Sequence, residues 1–246
     1  MLVQSTTSTQ NSGLYTYLLP QFEEQSGIRV DVVAVGTGQA IRNARNGDAD
    51  VLIVHAKAAE DAFVAEGWGV ERHDLMYNDF VVVGPAEDPA GLAEATSLRE
   101  ALAKLHRGEG DAIFISRGDD SGTHKKELEL WATYSEGPPA GEHYRETGSG
   151  MGATLRVAVE MNAYTLSDRA TWLAYAAPMA HRVLVAGDAA LFNQYGVIMV
   201  NPTRHPHVNT SGAEALVDWL LGAEGQAAIA GYEVGGTPLF FPNASD

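Results

Sequence analysis

Cysteine is absent from this chain of 246 residues, which excludes every site that depends on a thiol. Disulfide bonds, zinc–thiolate centres and cysteine nucleophiles cannot form. Long apolar runs are absent as well, since none approaches the ~20 residues of a membrane-spanning helix. No signal peptide is visible, because the chain opens with Met1-Leu2-Val3-Gln4 and continues at once into helix-like and strand-like sequence. We therefore interpret it as a mature or recloned form.

Basic residues are scarce: 16 Lys and Arg oppose 32 Asp and Glu, so the formal net charge is −16. Nucleic acids and anionic membranes bind basic surfaces, and we therefore exclude both as partners. An anionic ligand would need a local positive site that is strong enough to act against the field of the whole protein.

Segments typical of strands and of helices alternate along the chain. Residues 50–54 and 79–85 are largely apolar, as in buried strands, whereas residues 14–22 repeat apolar side chains at helical spacing. This alternation predicts an α/β fold of mixed, mostly parallel sheets flanked by helices. Pro20 predicts that the helix around it is short or kinked.

Two sharp breaks, at Gly84-Pro85 and Tyr195-Gly196, predict that the chain crosses twice between two domains. Residues 1–84 and 196–246 would form a discontinuous first domain, and residues 85–195 an inserted second domain. The length suffices for two modest domains, each with its own core. We expect a ligand to bind in the cleft between them, at the carboxyl ends of the strands.

The most informative motif is the polar turn 116–124, Ser-Arg-Gly-Asp-Asp-Ser-Gly-Thr-His, between a strand-like and a helix-like run. Such a turn gathers free backbone N–H groups at the positive end of a helix dipole. Arg117 adds a planar fork of donors, and Ser121 and Thr123 add hydroxyls. These groups have the chemistry of a site for a small oxyanion. Taken alone, they are explained equally well as a capped turn with a surface arginine.

Three further segments place hydroxyl or glycine residues directly before a predicted helix: Thr6-Thr7-Ser8-Thr9, Gly36-Thr37-Gly38 and Gly148 to Gly152. Each alone is most simply a helix cap. Together with the 116–124 turn, they place two such segments on each predicted domain. They could then surround a tetrahedral anion with neutral donors and one cation. The combination favours an oxyanion site over a set of unrelated caps.

In their order along the chain, these motifs resemble those of the periplasmic tungstate-binding proteins of ABC importers, the TupA type. The matching segments are Ser5-Thr6-Thr7-Ser8-Thr9, Val35-Gly36-Thr37-Gly38, Asn78 to Pro85, Ser116 to Glu127 and Gly150-Met151-Gly152-Ala153-Thr154-Leu155. One small departure is Ser5, where the family often has a longer apolar lead. The matching segments span most of the chain.

The resemblance implies a two-domain periplasmic-binding-protein fold of type II that closes on tungstate. It implies the high-affinity substrate-binding component of an ABC transporter, not an enzyme, which works in the periplasm as a monomer. The implied partners are a permease and ATPase complex at the inner membrane, and no cofactor is expected. The preference for tungstate rests on the resemblance alone, because molybdate is a nearly isosteric dianion.

The side chains predicted to contact the anion are Thr7, Ser8, Thr37, Arg117, Ser121 and Thr123. No catalytic residue and no ligand of a metal cation is predicted, since tungsten would be bound as its oxyanion. Tungstate at neutral pH only accepts hydrogen bonds, so a pocket of donors suits it. Arg117 is predicted to be the only full cation in contact with it. Asp119 and Asp120, the nearby acceptors, are predicted to face Arg117 or the helix start instead.

Other functions fit the sequence less well. Gly36-Thr37-Gly38 could begin a dinucleotide fingerprint, but Ile41 stands where that motif needs Gly or Ala. Ser121 lacks the Gly-x-Ser-x-Gly context of a hydrolase. His205-Pro206-His207 could bind a metal, although two histidines in a proline loop are more often solvated. An enzyme that acts on a small phosphorylated substrate stays open, with the aspartates of the 116–124 turn as candidate metal ligands.

Overall fold

The computed structural model describes residues 1–134, 137–175 and 180–244. The chain divides into two compact units. Unit 1 comprises Met1–Asn78 and Asn193–Asp246, and unit 2 comprises Asp79–Phe192. Within the described residues, no helix is both long and apolar enough to cross a membrane.

Helices and strands alternate along most of the chain. In chain order the strands are β1 (Leu2–Thr6), β2 (Asp31–Val35), β3 (Val51–Val54), β4 (Gly69–Pro85), β5 (Phe114–Ser116), β6 (Tyr144–Glu146), β7 (Thr165–Asp168), β8 (His181–Val185), β9 (Phe192–Val200), β10 (Glu233–Val234), β11 (Thr237–Pro238) and β12 (Phe241–Pro242). The α-helices are α1 (Thr7–Asn11), α2 (Leu14–Ser26), α3 (Thr37–Arg45), α4 (Lys57–Ala65), α5 (Leu98–His106), α6 (Gly122–Tyr134), α7 (Met151–Glu160), α8 (Arg169–Ala174), α9 (Thr210–Leu221) and α10 (Ala223–Ala230).

The chain passes from unit 1 to unit 2 within β4 and returns at the start of β9. The boundaries predicted from the sequence, 84/85 and 195/196, lie inside these same two strands, a few residues further along the chain. Gly84-Pro85 ends β4, so this sequence break marks the end of a strand and not the crossing point.

A layer of parallel strands forms the centre of unit 1, in which β1 lies between β2 and β3. All four residues of β3 are apolar and buried, as expected of a parallel strand covered on both faces. The register pairs Thr6 with Val35, so β1 and β2 end level at one edge of the sheet. That edge carries the starts of α1 and α3.

Antiparallel pairs complete the sheet of unit 1, whose strand order is β12-β4-β9-β3-β1-β2. β9 pairs with β3, with Ile198 opposite Leu52, and β12 pairs with β4, with Phe241 opposite Tyr77. The sheet is mixed, as predicted. A strict alternation of strands and helices would give parallel strand pairs. The sheet also has antiparallel pairs, because β9 and β12 join it from late in the chain.

Unit 2 has its own strands and core. The C-terminal part of β4 pairs antiparallel with β7 and β8, with Val82 opposite Leu166. β5 pairs in parallel with β6, and a parallel bridge joins Phe114 to Tyr164, just before β7. Phe114, Tyr164 and Trp131 are buried in one core cluster. The strands β6, β5 and β7 therefore end at one edge, as β2, β1 and β3 do in unit 1.

Pro20 was predicted to make its helix short or kinked. The first alternative is wrong, because α2 runs from Leu14 to Ser26 with Pro20 inside it. Proline within a helix costs about 3 kcal/mol through the lost hydrogen bond and a steric clash. Leu14, Leu18 and Phe22 are buried along α2, however, and each contributes about 1.5–3 kcal/mol on burial. Packing against the core therefore outweighs the cost of the proline.

Candidate functional site

In unit 1, the ends of three parallel strands bring hydroxyl groups and an imidazole to one edge of the sheet. Thr7 and Ser8 begin α1 directly after β1, and Thr37 begins α3 one residue after β2. His55 follows β3, whose pairing with β1 places it level with the start of α1. Because helix N-termini expose unpaired N–H groups, this edge gathers hydrogen-bond donors.

Hydrogen bonds of hydroxyl groups connect the residues at this edge. Ser8 Oγ lies 3.3 Å from His55 Nε2 and 3.2 Å from Thr6 Oγ1, and Thr6 Oγ1 lies 2.8 Å from Thr9 Oγ1. Thr37 is different: the residue is 1% exposed, and its hydroxyl has no hydrogen-bond partner within the described part of the chain. A buried hydroxyl of this kind indicates a partner outside the protein.

Unit 2 repeats the arrangement with different residues. The 117–121 turn follows β5, and the 147–150 turn follows the parallel strand β6. The two turns are joined by backbone hydrogen bonds from Ser149 N to Arg117 O at 3.2 Å and from Thr147 N to Ser116 O at 3.0 Å. Two of the four segments singled out in the sequence therefore lie side by side within this unit.

The 117–121 turn contains two residues with positive φ, Gly118 at 58° and Asp120 at 56°. Ser121 N–H donates to Asp119 Oδ1 at 3.3 Å, and His124 N–H donates to Ser121 Oγ at 3.2 Å. Ser121 thus uses its hydroxyl oxygen at the start of α6, which leaves its hydroxyl proton available to a ligand.

Arg117 is only 3% exposed, which is unusual for a guanidinium group. One terminal nitrogen donates to Asp119 Oδ2 at 2.6 Å. No acceptor for its Nε is found among the described residues. The prediction that Asp119 faces Arg117 or the helix start is confirmed by its two hydrogen bonds, whereas its turning away from the anion stays a prediction. The guanidinium keeps donors for an anionic ligand.

Asp120 lies near the helix start, one of the two positions predicted for it, but at the protein surface. Its side chain is 73% exposed, and its Oδ1 lies 3.4 Å from Lys125 Nζ. The left-handed backbone at Asp120 directs the side chain towards solvent, where Lys125 on the first turn of α6 reaches it. The backbone N–H of Asp120 donates to His124 Nδ1 at 3.1 Å. The Asp120 side chain therefore lies at the surface of the turn.

Thr123, on the first turn of α6, is 1% exposed, and its hydroxyl has no partner in the ranges that the structure describes. With the Thr37 hydroxyl and Arg117 Nε, it belongs to a set of buried donors that lack protein acceptors. Leaving one such group unsatisfied costs about 1–3 kcal/mol. Each unit therefore has buried donors that suit a ligand which accepts hydrogen bonds.

A buried carboxyl, Glu127, supports the turn from within unit 2 and is 3% exposed. It accepts hydrogen bonds from Ser116 Oγ at 2.8 Å, Trp131 Nε1 at 3.2 Å and Tyr144 Oη at 2.6 Å. Burial raises the pKa of Glu127, and these donors offset only part of that effect. Because Ser116 Oγ also accepts the Gly118 N–H, this network fixes the first residues of the turn.

Sequence reasoning missed His55 and Asp168 as residues of these two edges. His55 directly follows β3, and Asp168 is the last residue of β7. Both are buried, at 8% and 1% exposure. Ligands of α/β proteins bind at the carboxyl ends of strands, and both residues stand at the end of a predicted strand. That position was the signal that could have identified them.

The histidines of His205-Pro206-His207 contact backbone carbonyls. His205 Nε2 lies 3.0 Å from Arg45 O, and His207 Nε2 lies 2.9 Å from Gly47 O. Gly47 has a φ of 86°, and a Cβ there would lie 2.6 Å from His205 Nδ1. The two rings therefore pack on the turn after α3. Within the described residues, no group of three or more His, Asp or Glu is arranged to hold a metal ion.

Comparison with known proteins gives matches along the whole chain. The profile of the PBP superfamily domain matches residues 1–224. The tungstate-binding protein TupA of Peptoclostridium acidaminophilum is 50% identical over 249 aligned positions, which cover 100% of this chain and 86% of that protein.

Solved structures give the same result. The tungstate-binding protein TupA of Desulfovibrio alaskensis G20 has a TM-score of 0.87 and 44% identity, covering 100% of this chain and 99% of that one. The structure described as the tungstate ABC transporter from Geobacter sulfurreducens has a TM-score of 0.85 and 49% identity, covering 94% of this chain and 98% of that one. The likeness therefore extends well beyond the motifs.

Proposed function

Because this chain belongs to the PBP superfamily and, within it, to the family of the TupA tungstate-binding proteins, we propose that it captures tungstate for an ABC importer. Its role would be that of the high-affinity substrate-binding component. Molybdate, a dianion of nearly the same size and shape, is the second ligand that the site would accept.

The observation that carries this proposal is that three buried donors in the predicted site segments, Thr37 Oγ1, Thr123 Oγ1 and Arg117 Nε, have no acceptor among the described residues. Thr7 and Ser8 begin α1, Ser121 directly precedes α6, and all three add hydroxyls. We propose that all six side chains donate to one tetrahedral oxyanion, three from each unit. A dianion that only accepts hydrogen bonds is the chemical complement of such a donor set.

We propose that the protein carries the anion and does not transform it. The relatives are named as binding proteins, which supports this. Within the turn, Ser121 Oγ accepts the His124 N–H while His124 Nδ1 accepts the Asp120 N–H, so this imidazole nitrogen does not serve as a base for the serine. Asp119 is engaged by Arg117 and by Ser121 N–H, which leaves it poorly suited as a metal ligand.

The proposed partners are a permease and ATPase complex at the inner membrane, and the proposed location is the periplasm. The description of the Geobacter sulfurreducens structure as a tungstate ABC transporter supports the transporter assignment. We further propose that the protein acts as a monomer and needs no cofactor.

Titration with sodium tungstate, measured by calorimetry, is expected to show one tight site per chain, for which molybdate competes. Excess phosphate and sulfate should displace little tungstate at neutral pH. Monohydrogen phosphate carries a proton that needs an acceptor, and an unpaired group in a closed site costs about 1–3 kcal/mol, or about 5- to 150-fold in affinity. Sulfate only accepts hydrogen bonds but is smaller, so its oxygens would lie too far from the donors of the site.

Thr37→Val and Thr37→Ser form a matched pair for the same titration. Valine keeps the shape and removes the buried hydroxyl, whereas serine keeps the donor, so only the valine variant should weaken tungstate binding clearly. Phosphate binding as tight as that of tungstate would contradict the donor-only site. Steady hydrolysis of a generic phosphoester by the purified protein would contradict the carrier role.

We also propose that binding brings the two units together through bending near the crossings in β4 and β9. Small-angle scattering should then give a smaller radius of gyration with saturating tungstate. The melting temperature should rise with ligand concentration, since ligand at 100 times its Kd stabilises the folded state by about 2.7 kcal/mol. A melting temperature that rises without any compaction would contradict the closure and leave binding intact.

A further inference from the structure

Asp168 is a buried carboxyl that the binding mode proposed above does not use. It is the last residue of β7 and is 1% exposed. Tyr164 directly precedes β7 and forms a parallel β-bridge with Phe114 of β5. Counting along both strands from this bridge places Ser167 level with Arg117, so Asp168 lies beside the start of the 117–121 turn. Asp168 and Arg117 therefore stand at the ends of neighbouring strands.

Only one oxygen of this carboxyl has a clear role. Asp168 Oδ1 accepts the Thr171 N–H at 2.8 Å and so caps α8. Among the residues that the structure describes, no hydrogen bond of normal geometry reaches Asp168 Oδ2 or the Thr171 hydroxyl. A buried ionised carboxylate needs donors at both oxygens, so Oδ2 is poorly satisfied while it is charged.

The side chains at Asp168 carry more negative than positive charge, and this disfavours a dianion. Burial raises the pKa of Asp168, and the Thr171 N–H and the positive charge of Arg117 offset only part of this effect. Arg117 is itself already paired with Asp119 at 2.6 Å. With both carboxyls ionised, the three side chains carry a net charge of −1, which opposes the entry of a dianion.

The other charged groups on the elements around β7 have partners or face solvent. Asp79 on β4 and Arg169 on α8 pair with each other at 2.5 Å. Glu127 on α6 accepts three hydrogen bonds, as described above. Arg156 and Glu160 on α7 are exposed. His124 on α6 is the further titratable group of the turn.

We propose that Asp168 takes up one proton from solvent when the dianion binds beside Arg117, so that tungstate affinity depends on pH through this residue. The inference rests on the proposed function. The three side chains and a dianion beside them would together carry a charge of −3, and protonation of Asp168 reduces this negative charge to −2. The proton also turns Oδ2 from an acceptor into a donor, which keeps the site one of donors only.

The test is calorimetric titration with sodium tungstate at pH 8 in two buffers of different ionisation enthalpy. The difference in heat gives the number of protons taken up for each anion bound. We expect a value above zero and at most one for the native protein, and zero for Asp168→Asn. Asparagine keeps the cap on Thr171 N–H, so the fold should be retained. Asp120→Asn removes the same charge from an exposed site of the turn and should leave the uptake unchanged.

Affinity provides a second readout. One linked proton makes the affinity of the native protein fall by up to about tenfold for each unit of rising pH, whereas Asp168→Asn should be nearly flat and bind more tightly than the native protein at pH 8. Equal heats in both buffers, or an uptake that persists in Asp168→Asn and so belongs to a histidine, would overturn the role of Asp168 while tungstate binding stands. A protein that gave no binding heat with tungstate would overturn the proposed function as well.

Discussion

Replacing Arg117 by alanine is expected to weaken tungstate binding by at least about tenfold to a hundredfold. Charge-assisted hydrogen bonds contribute about 1.5–3 kcal/mol each, and this buried guanidinium retains donors that no described residue uses. The loss would also leave Asp119 without its cation and make the turn more negative. Calorimetric titration of the variant with sodium tungstate measures the effect.

Two further variants separate the local role of Arg117 from a general charge effect. Arg117→Lys should restore only part of the affinity, because an ammonium group lacks the planar fork. Arg156→Ala, at an exposed position of α7 in the same unit, changes the net charge equally and should bind nearly as tightly as the native protein. Unchanged affinity in Arg117→Ala would place the anion site elsewhere.

Replacing Arg72 by methionine is expected to destabilise the fold by about 3–5 kcal/mol at pH 8. Arg72 Nε donates to Glu60 Oε2 at 2.7 Å, and the two side chains are 8% and 0% exposed. Without the arginine, the buried Glu60 carboxyl either stays charged without its cation or must take up a proton at pH 8, and each of these costs free energy. For a chain of this size, 1 kcal/mol corresponds to about 2–4 °C, so the melting temperature should fall by roughly 6–20 °C. Thermal unfolding followed by circular dichroism measures this shift.

The ionisation of Glu60 makes the destabilisation caused by Arg72→Met depend on pH. Burial raises the pKa of Glu60 to about 7 although Arg72 lies beside it. A carboxyl whose pKa is higher in the folded than in the unfolded state favours folding at low pH, and this contribution is lost as the pH rises through the folded pKa. Without Arg72 that pKa rises further, so the deficit of the variant should be smaller at pH 5 than at pH 8.

Arg29→Met is the matched control for this prediction, because Arg29 pairs with Asp31 at the surface, with 83% and 60% of the side chains exposed. Exposed pairs of this kind are worth at most about 1 kcal/mol. Adding Glu60→Gln to Arg72→Met should recover much of the lost stability, since it removes the buried charge. A deficit of the same size at both pH values would show that lost packing, and not charge, is responsible.

The parts of the fold that follow from local sequence could be predicted. The apolar run of β3 and the amphipathic α5 carry their own signals. The family resemblance and the α/β periplasmic-binding-protein fold, both drawn from motifs and alternation, are confirmed by relatives at 50% and 44% identity. The first half of β4 was missed, because residues 69–78 include a run of polar side chains with low strand propensity. This segment becomes a strand through its pairing in the sheet between β9 and β12.

The same distinction applies to the site. The turn 116–124 could be interpreted from sequence, because strand, loop, cap and helix follow one another within a few residues. The place of Asp168 beside Arg117 could not, because it depends on the pairing of two strands whose residues are far apart in the chain. The exposure of the Asp120 side chain could not be predicted either, because the sequence does not show that its backbone adopts a positive φ. Which of the predicted hydroxyls contact the anion stays a prediction.

The discontinuity of unit 1 sets the order in which a growing chain can complete its cores. Unit 2 is one continuous stretch, Asp79–Phe192, whereas the sheet of unit 1 needs β9 between β3 and β4. Chains emerge from the ribosome N-terminus first, so β1, β2 and β3 must wait until residues beyond 192 are made. The inserted unit can therefore finish folding before the unit that begins the chain. During that interval the apolar edge of β3 has no neighbour on its β9 side, which makes it the part of the nascent protein most open to mispairing.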